Sequence, residues 1–353
     1  MSLPFKTNNR LCATLRGMSK TQIATPSNHP ASPRAATTLC VATVQLACDL
    51  GDVQGNLNRA TAFIEDAIRQ GAKLILTPEM MPGGYTLEEK IWDTAEPFDG
   101  PTTRWLRDLC RRREVYIGTT FLEAEGEDFF NTFVLIGPTG EVVGKVRKNP
   151  PASFEAFYFR AGNDRHWFDT ALGRIGVGIC FENALYDRYR ELHEADIDLY
   201  LRPFSGASFE AKFPIRQRDV DAVNAALREG TPATARAMGI PVVMSNKVGH
   251  LVTDLPAGFP RQHIEFPGFS AIADSDGALL GQLRSGQEGV VVGTVKLDPS
   301  RKHRQIAPRT NGRWTGGMPW WAFVWVLTQR FGERSYARSA KRRARALAIS
   351  RTA

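Results

Sequence analysis

Between residues 40 and 298 short apolar runs alternate with stretches of helical spacing, and this alternation limits the chain to a layered α/β fold. Residues 39–46 read as a buried strand. Residues 56–70 carry Leu57, Ala60, Phe63, Ile64, Ala67 and Ile68 at helical spacing, with Gly71 as a stop. A strand at 73–76 runs into Thr77-Pro78-Glu79, followed by a helix at 103–113 and strands at 115–122, 132–136 and 142–146. The rhythm returns with strand 174–179, helix 183–195, strand 197–201, a helical region 219–238 broken near Gly230-Thr231-Pro232, and strand 241–245. Strands 270–273, 279–283 and 290–295 follow, joined by Asp276-Gly277 and Ser285-Gly286 turns. Crossovers early and hairpins late predict an α/β sandwich with a mixed sheet, held as one domain over residues 40–298.

Charge is distributed unevenly along the chain. The sequence holds 45 basic and 37 acidic residues, a formal net charge of +8. Residues 1–40 contain five basic residues and no acid, and residues 299–353 contain thirteen basic residues and one acid, Glu333. The stretch 41–298 is left with 27 basic against 36 acidic residues, a net charge of −9. The positive balance therefore belongs to the two ends and gives no reason to expect a nucleic-acid partner. Residues 1–39, rich in Ser, Thr, Pro and Asn, read as a disordered basic leader of partly transit-like composition, with Met18 as an alternative start.

Cys12, Cys40, Cys48, Cys110 and Cys180 form no C-x-x-C pair and have no suitably spaced His, which argues against a disulfide framework and a structural zinc. A reducing, cytoplasmic setting follows. The longest apolar stretch, residues 320–327, is too short to cross a bilayer.

Three residues of different chemistry stand just after expected strands: Glu79, Lys148 and Cys180. Functional groups gather at the carboxyl ends of strands in α/β folds, so the three can converge. Cys180, in Gly178-Ile179-Cys180-Phe181-Glu182-Asn183, lies at a strand-to-helix junction, where a helix N-terminus would lower the thiol pKa. Glu79 is held in Thr77-Pro78-Glu79-Met80-Met81-Pro82-Gly83-Gly84-Tyr85, and Lys148 is followed seven residues later by Glu155.

In these motifs, at separations of 69 and 32 residues, the chain resembles the nitrilase superfamily of carbon–nitrogen hydrolases over about residues 40–298. Val44-Gln45, Asn56-Leu57, Pro78-Glu79 and Phe159-Arg160-Ala161-Gly162 belong to the same likeness. The resemblance implies a four-layer α-β-β-α sandwich, a homodimer or larger homo-oligomer, and no cofactor or metal. It also implies Glu79 as general base, Cys180 as nucleophile, Lys148 and the Phe181 backbone N–H as oxyanion donors, and Glu155 as an aid to substrate and lysine. Tyr85 and Phe204 are further candidates for substrate contact. Lys148-x-x-Pro151-x-x-x-Glu155 is nitrilase-like, whereas Phe181 replaces the Trp usual in that branch and Ala152 the Thr, which keeps amide, carbamoyl and nitrile substrates open.

The alternatives are weaker. No histidine has the setting a Cys-His protease needs, and an acyltransferase of the superfamily would bring membrane spans. A non-catalytic or membrane-associated binding member is the remaining reading. Loops at residues 84–99, 204–218 and 249–266, with Trp92, Phe98, Phe204, Phe209 and Phe213, suggest a partly apolar acyl pocket. Beyond the likeness, residues 299–353 form a basic tail with an apolar helix near 318–328. Its aromatic residues either pack on the protein, with a solvated basic end, or make peripheral membrane contact.

Overall fold

The computed structural model describes residues 35–211, 216–303 and 322–352. Its strands are β1 (Thr37–Gln45), β2 (Leu74–Leu76), β3 (Tyr116–Glu125), β4 (Asp128–Ile136) and β5 (Val142–Arg147) in the first part of the chain. There follow β6 (Trp167–Thr170), β7 (Gly173–Val177), β8 (Leu199–Phe204), β9 (Ser208–Phe209) and β10 (Val242–Asn246). Last come β11 (Val248–Thr253), β12 (Gln262–Pro267), β13 (Ala271–Ala273), β14 (Leu279–Gln282) and β15 (Gly289–Leu297). The helices are α1 (Val53–Arg69), α2 (Pro101–Arg113), α3 (Tyr186–Glu194), α4 (Gln217–Met238), α5 (Ala322–Arg338) and α6 (Ala340–Ser350).

Two mixed sheets stack face to face, in the orders β15-β1-β2-β3-β4-β5 and β14-β13-β10-β8-β7-β6. Alternate side chains point to opposite faces of a strand, and the sequence uses both faces. Val41, Leu74, Leu76 and Phe133 from one sheet meet Ile175, Val177, Leu201 and Val243 from the other. The residues between them in sequence, Ala42, Val44 and Ile75, face α1 and α2 through Leu57, Ile64, Leu106 and Leu109. On the far side Leu192 of α3 with Ala235 and Met238 of α4 covers Tyr200 and Val242. The result is the α-β-β-α sandwich. Two hydrogen bonds tie the sheets across the middle, Thr43 Oγ1 to the Met244 carbonyl at 2.8 Å and Ser245 Oγ to the Val44 carbonyl at 2.6 Å.

Several expectations are corrected. Strand β1 begins at Thr37, inside the 1–39 stretch expected as a leader, and the rest of that expectation, residues 1–34, lies outside the described residues. The helical region at 219–238 is unbroken although Pro232 lies inside it. Thr231, Ala235 and Met238, buried around the proline, hold the helix against the second sheet. The stretches read as loops at 204–218 and 249–266 contribute to a third sheet, β11-β12-β9. Its strands escape notice because polar residues such as His250 and Glu265 face each other on an exposed side.

The tail is built into the fold. Residues 318–321 lie outside the described residues, and from Ala322 the chain forms α5 and then α6. The buried face of α5 repeats every four residues as Thr328, Gly332 and Tyr336. Thr328 Oγ1 shares a hydrogen bond with Ser153 Oγ at 2.7 Å, and a Cβ added to Gly332 would stand 2.9 Å from the backbone of Ala156 and Phe157. The Tyr336 hydroxyl accepts from the Phe129 N–H at 2.8 Å. Buried Arg342 pairs with Asp128 at 2.7 Å, and Lys341 and Arg345 pair with Glu89 and Asp93. Ala346 of α6 joins the core cluster of Met80, Trp92, Phe129 and Phe159. Part of the basic end expected to be solvated is therefore paired with acids of the body. No described helix is long and apolar enough to cross a membrane.

Candidate active site

Parallel pairing of β1 with β2 and of β8 with both β7 and β10 sends several carboxyl ends to one edge of the sandwich. Glu79 follows β2 by three residues, Lys148 follows β5 directly, and Cys180 follows β7 by three. The Glu79 N–H donates to the Phe204 carbonyl at 3.1 Å, and the Gly178 N–H donates to the Leu201 carbonyl at 3.1 Å, which ties these segments to β8. Met80, Ser153 and Cys180 have φ of +51°, +46° and +48°. Such conformations cost about 1–3 kcal/mol each in non-glycine residues and persist where surrounding bonds over-determine them.

Lys148 is fully buried between two carboxylates. Its Nζ lies 2.8 Å from Glu79 Oε1, and 3.0 and 2.8 Å from the two Glu155 oxygens. Glu79 also accepts from Asn131 Nδ2 at 2.7 Å and from the Ser205 N–H at 2.7 Å. Glu155 accepts from the Ala152 N–H and from the Tyr85 hydroxyl, at 2.7 and 2.8 Å. Burial opposes the charge on Lys148, but Glu155 and Glu79 outweigh it and hold the ammonium above its ordinary pKa. For Glu155 burial wins, and its carboxyl is pushed up despite the adjacent Lys148.

Cys180 departs from its expectation. It opens a 3-10 turn, Cys180–Ala184, and α3 begins only at Tyr186. Desolvation and the nearby Glu79 charge raise its thiol pKa well above the ordinary value, with Lys148 opposing them. The resting group is the thiol, so it must lose a proton before attack. Behind it, a Cβ at Gly178 would stand 2.2 Å from the Tyr200 hydroxyl, which donates to Asn183 Oδ1 at 2.6 Å. Asn183 Nδ2 donates in turn to the Gly178 and Cys180 carbonyls at 2.7 and 2.8 Å.

Glu182 is a buried anchor for this turn. It accepts from the backbone N–H groups of Ile179 and Asn149, both at 2.6 Å, and lies 2.7 Å from His166 Nε2 and 3.4 Å from Arg188. Although desolvation acts against it, these partners hold its carboxyl below the ordinary value of 4.5. A depressed folded pKa stabilises the protein above the unfolded value, and that contribution disappears as pH falls through the folded pKa. Glu182→Gln is expected to destabilise by about 3–5 kcal/mol at neutral pH. The Tm difference from wild type should shrink below pH 4.5; a difference constant from pH 7 to pH 3 would refute this.

The sequence-expected residues fall into two groups. Glu79, Lys148 and Glu155 form one bonded cluster, Tyr85 joins it through its hydroxyl, and Cys180 lies within its electrostatic reach. Phe204 clusters with Cys180, Leu227 and Met244, and the Phe181 ring packs on Trp325 of α5 at 5.2 Å. Trp92 instead stacks on Phe129 in the core, and Phe98 packs on Phe121, so neither lines this site. Phe209 lies in β9, and Phe213 is outside the described residues. Asn131, Ser205 and His166 were not foreseen, since each reaches the site only through folding; Glu182 stands in the Cys180 motif, but its part as an anchor was not read from it. Among the described residues no group of His, Cys, Asp and Glu could hold a metal ion.

A family model described as carbon-nitrogen hydrolase matches residues 40–305. Nitrilase 1 of Arabidopsis thaliana is 30% identical over 218 residues, 56% of this chain and 62% of that protein, so the match spans less than two thirds of it. N-carbamoylputrescine amidase of Solanum tuberosum is 28% identical over 273 residues, 75% of this chain and 88% of that protein. A carbon-nitrogen hydrolase from Helicobacter pylori G27 shares the fold with a TM-score of 0.66 at 20% identity, over 75% of this chain and 90% of that one. An amidase variant from Nesterenkonia sp. AN1, with the acetamide moiety of fluoroacetamide on its active-site cysteine, superposes with a TM-score of 0.60 at 21% identity. That match covers 74% of this chain and 92% of that one.

Proposed function

This chain belongs to the carbon–nitrogen hydrolase family and acts on carbon–nitrogen bonds other than peptide bonds, and from that premise we propose that Glu79, Lys148 and Cys180 form its catalytic triad. The observation that carries the reading is the buried Lys148 ammonium, held by Glu79 and Glu155 on the edge that also presents Cys180. Glu79 takes the Cys180 proton as the sulfur attacks the carbonyl carbon. The resulting oxyanion is held by Lys148 Nζ and the Phe181 N–H. As the C–N bond breaks, the Glu79 carboxyl returns the proton to the departing nitrogen, which leaves as ammonia or an amine. Water, deprotonated by Glu79, then attacks the thioester, and the Cys180 sulfur departs with that proton as the acid is released.

Glu155 positions Lys148 and is itself held by Tyr85. Phe204 and Phe181 supply an apolar wall. An amide or carbamoyl compound is the proposed substrate, cleaved by a domain spanning residues 40–298. A nitrile is the alternative, favoured by Pro151 and Glu155 at three and seven residues after Lys148. Cytoplasmic location and assembly as a homodimer or larger homo-oligomer belong to the same proposal.

The test combines ammonia release from a panel of short amides, carbamoyl compounds and nitriles with mass spectrometry of acid-quenched enzyme. A substrate-dependent adduct on the peptide containing Cys180 is expected. Turnover with the adduct on another residue, or with none under single-turnover conditions, would overturn the triad. An acid-to-amide product ratio from a nitrile separates the two substrate classes.

A further inference from the structure

Lys247 stands beside the candidate site as a buried cation whose Nζ has no hydrogen-bond partner among the described residues. The remaining residues contain no Asp or Glu, so no carboxylate side chain elsewhere in the chain is left to pair it. It directly follows β10, whose last residue, Asn246, lies opposite Phe204 of the parallel strand β8. Asn246 Oδ1 accepts from the Gly206 N–H at 2.9 Å, next to the Ser205 N–H that holds Glu79. Asn246 Nδ2 donates to the Gly268 carbonyl at 2.8 Å. The backbone that launches Lys247 is thereby fixed to the segment supporting Glu79.

The ammonium lies over two rings, 5.6 Å from the centroid of Tyr85 and 5.5 Å from that of Phe266. Those rings meet edge to face at 5.9 Å, and the Tyr85 hydroxyl is bonded to Glu155. Burial pulls the Lys247 pKa below the ordinary lysine value, and the nearby Glu79 carboxylate opposes that pull without bonding to the ammonium. Two aromatic faces recover only a fraction of what it costs to strip an ammonium of water. An incoming anion would supply the rest.

We propose that Lys247 is the specificity-determining residue of this site and receives a carboxylate at the end of the substrate remote from the scissile C–N bond. The substrate class is then the half-amides and carbamoyl acids of short dicarboxylic skeletons. This deepens, and rests on, the reading of the site as a thiol hydrolase.

Binding to Cys180→Ala protein is measured by calorimetry with malonamate, succinamate, glutaramate and adipamate, each beside the neutral amide in which a methyl replaces the carboxylate. At least one half-amide is expected to bind about 10- to 100-fold tighter than its neutral counterpart. Adding Lys247→Met should abolish the preference, and Lys247→Arg should keep most of it. No preference in any pair, or equal weakening of both members by Lys247→Met, would overturn the assignment. Should Lys247→Met fail to fold, the preference in the Cys180→Ala parent and its fall with salt decide alone. Hydrolysis by the enzyme with Cys180 intact reports separately. Ammonia from neutral amides without charge preference overturns the role of Lys247 and leaves the hydrolase reading standing; binding preference with no ammonia from any compound does the reverse.

Discussion

Glu79→Gln is expected to lower kcat by about 10³- to 10⁴-fold while making Cys180 easier to ionise. The opposite signs follow from one placement. Glu79 is one of the two largest influences raising the thiol pKa, behind desolvation, and Lys148 is the main one lowering it. Removing the carboxylate charge leaves Lys148 less opposed, so the midpoint of a pH titration of iodoacetamide alkylation should move to lower pH. Turnover nevertheless collapses, because the neutral amide cannot take the thiol proton during attack or return it to the leaving nitrogen. Cys180→Ala, with no nucleophile, should lose at least as much activity. An alkylation midpoint that stays in place or rises would show that Glu79 does not govern the thiol. Glutamine keeps the shape and, with its oxygen in the Oε1 position, the bonds from Asn131 and Lys148, while its NH2 group in the Oε2 position forfeits the bond from the Ser205 N–H, so the fold is expected to survive with some loss of stability.

The contrast between Cys180 and its surroundings shows how far residues alone lead. The proposed triad positions were legible because each stands just after an expected strand in a motif that resembles the family's, even where the strand, like β5, is only half-buried. The strand pattern gave a mixed sheet, and the resemblance gave the two-sheet sandwich. The thiol's ionisation was not legible. Its local context suggests a helix N-terminus, but burial and a carboxylate 101 positions earlier in the chain control it. The hydrogen bonds from Asn131 and Ser205 to Glu79 span 52 and 126 residues, and no local pattern announces them. Lys247 likewise has an unremarkable sequence setting, Ser245-Asn246-Lys247-Val248, and becomes informative only once its burial is known. Antiparallel β11 and β12 were missed because one side of their pairing is polar, which weakens the apolar signal that marks the inner strands.

Removal of residues 314–353 is expected to lower Tm by roughly 5–10 °C and kcat by about 10²-fold. The acidic body and the basic tail explain each other here. Arg342, 3% exposed, is bonded to Asp128, and breaking a buried pair of this kind costs about 3–5 kcal/mol. Truncation also uncovers the cluster of Met80, Trp92, Phe129 and Phe159. Met80 adjoins the proposed base, and α5 presses on the turn Ser153–Phe157, which carries Glu155. Loss of α5 therefore frees the carboxylate that holds Lys148, and small displacements of catalytic groups have large kinetic effects. Gly332→Val keeps the tail but strains its contact with the turn. A Cβ there would stand 2.9 Å from the backbone of Ala156 and Phe157, so helix and turn must move apart, and both Tm and, by about 10-fold, kcat should fall. Unchanged kcat in both variants would make the tail a stabilising wrap with no part in the site. Phe323, Leu327 and Phe331 remain exposed on α5, beside Arg330 and Arg334, and liposome sedimentation measures their contribution directly. Because Lys341, Arg342 and Arg345 are engaged with Glu89, Asp128 and Asp93, partitioning is expected to be the same with and without the tail. A tail-dependent shift onto anionic vesicles would show that those internal pairs yield to a membrane surface.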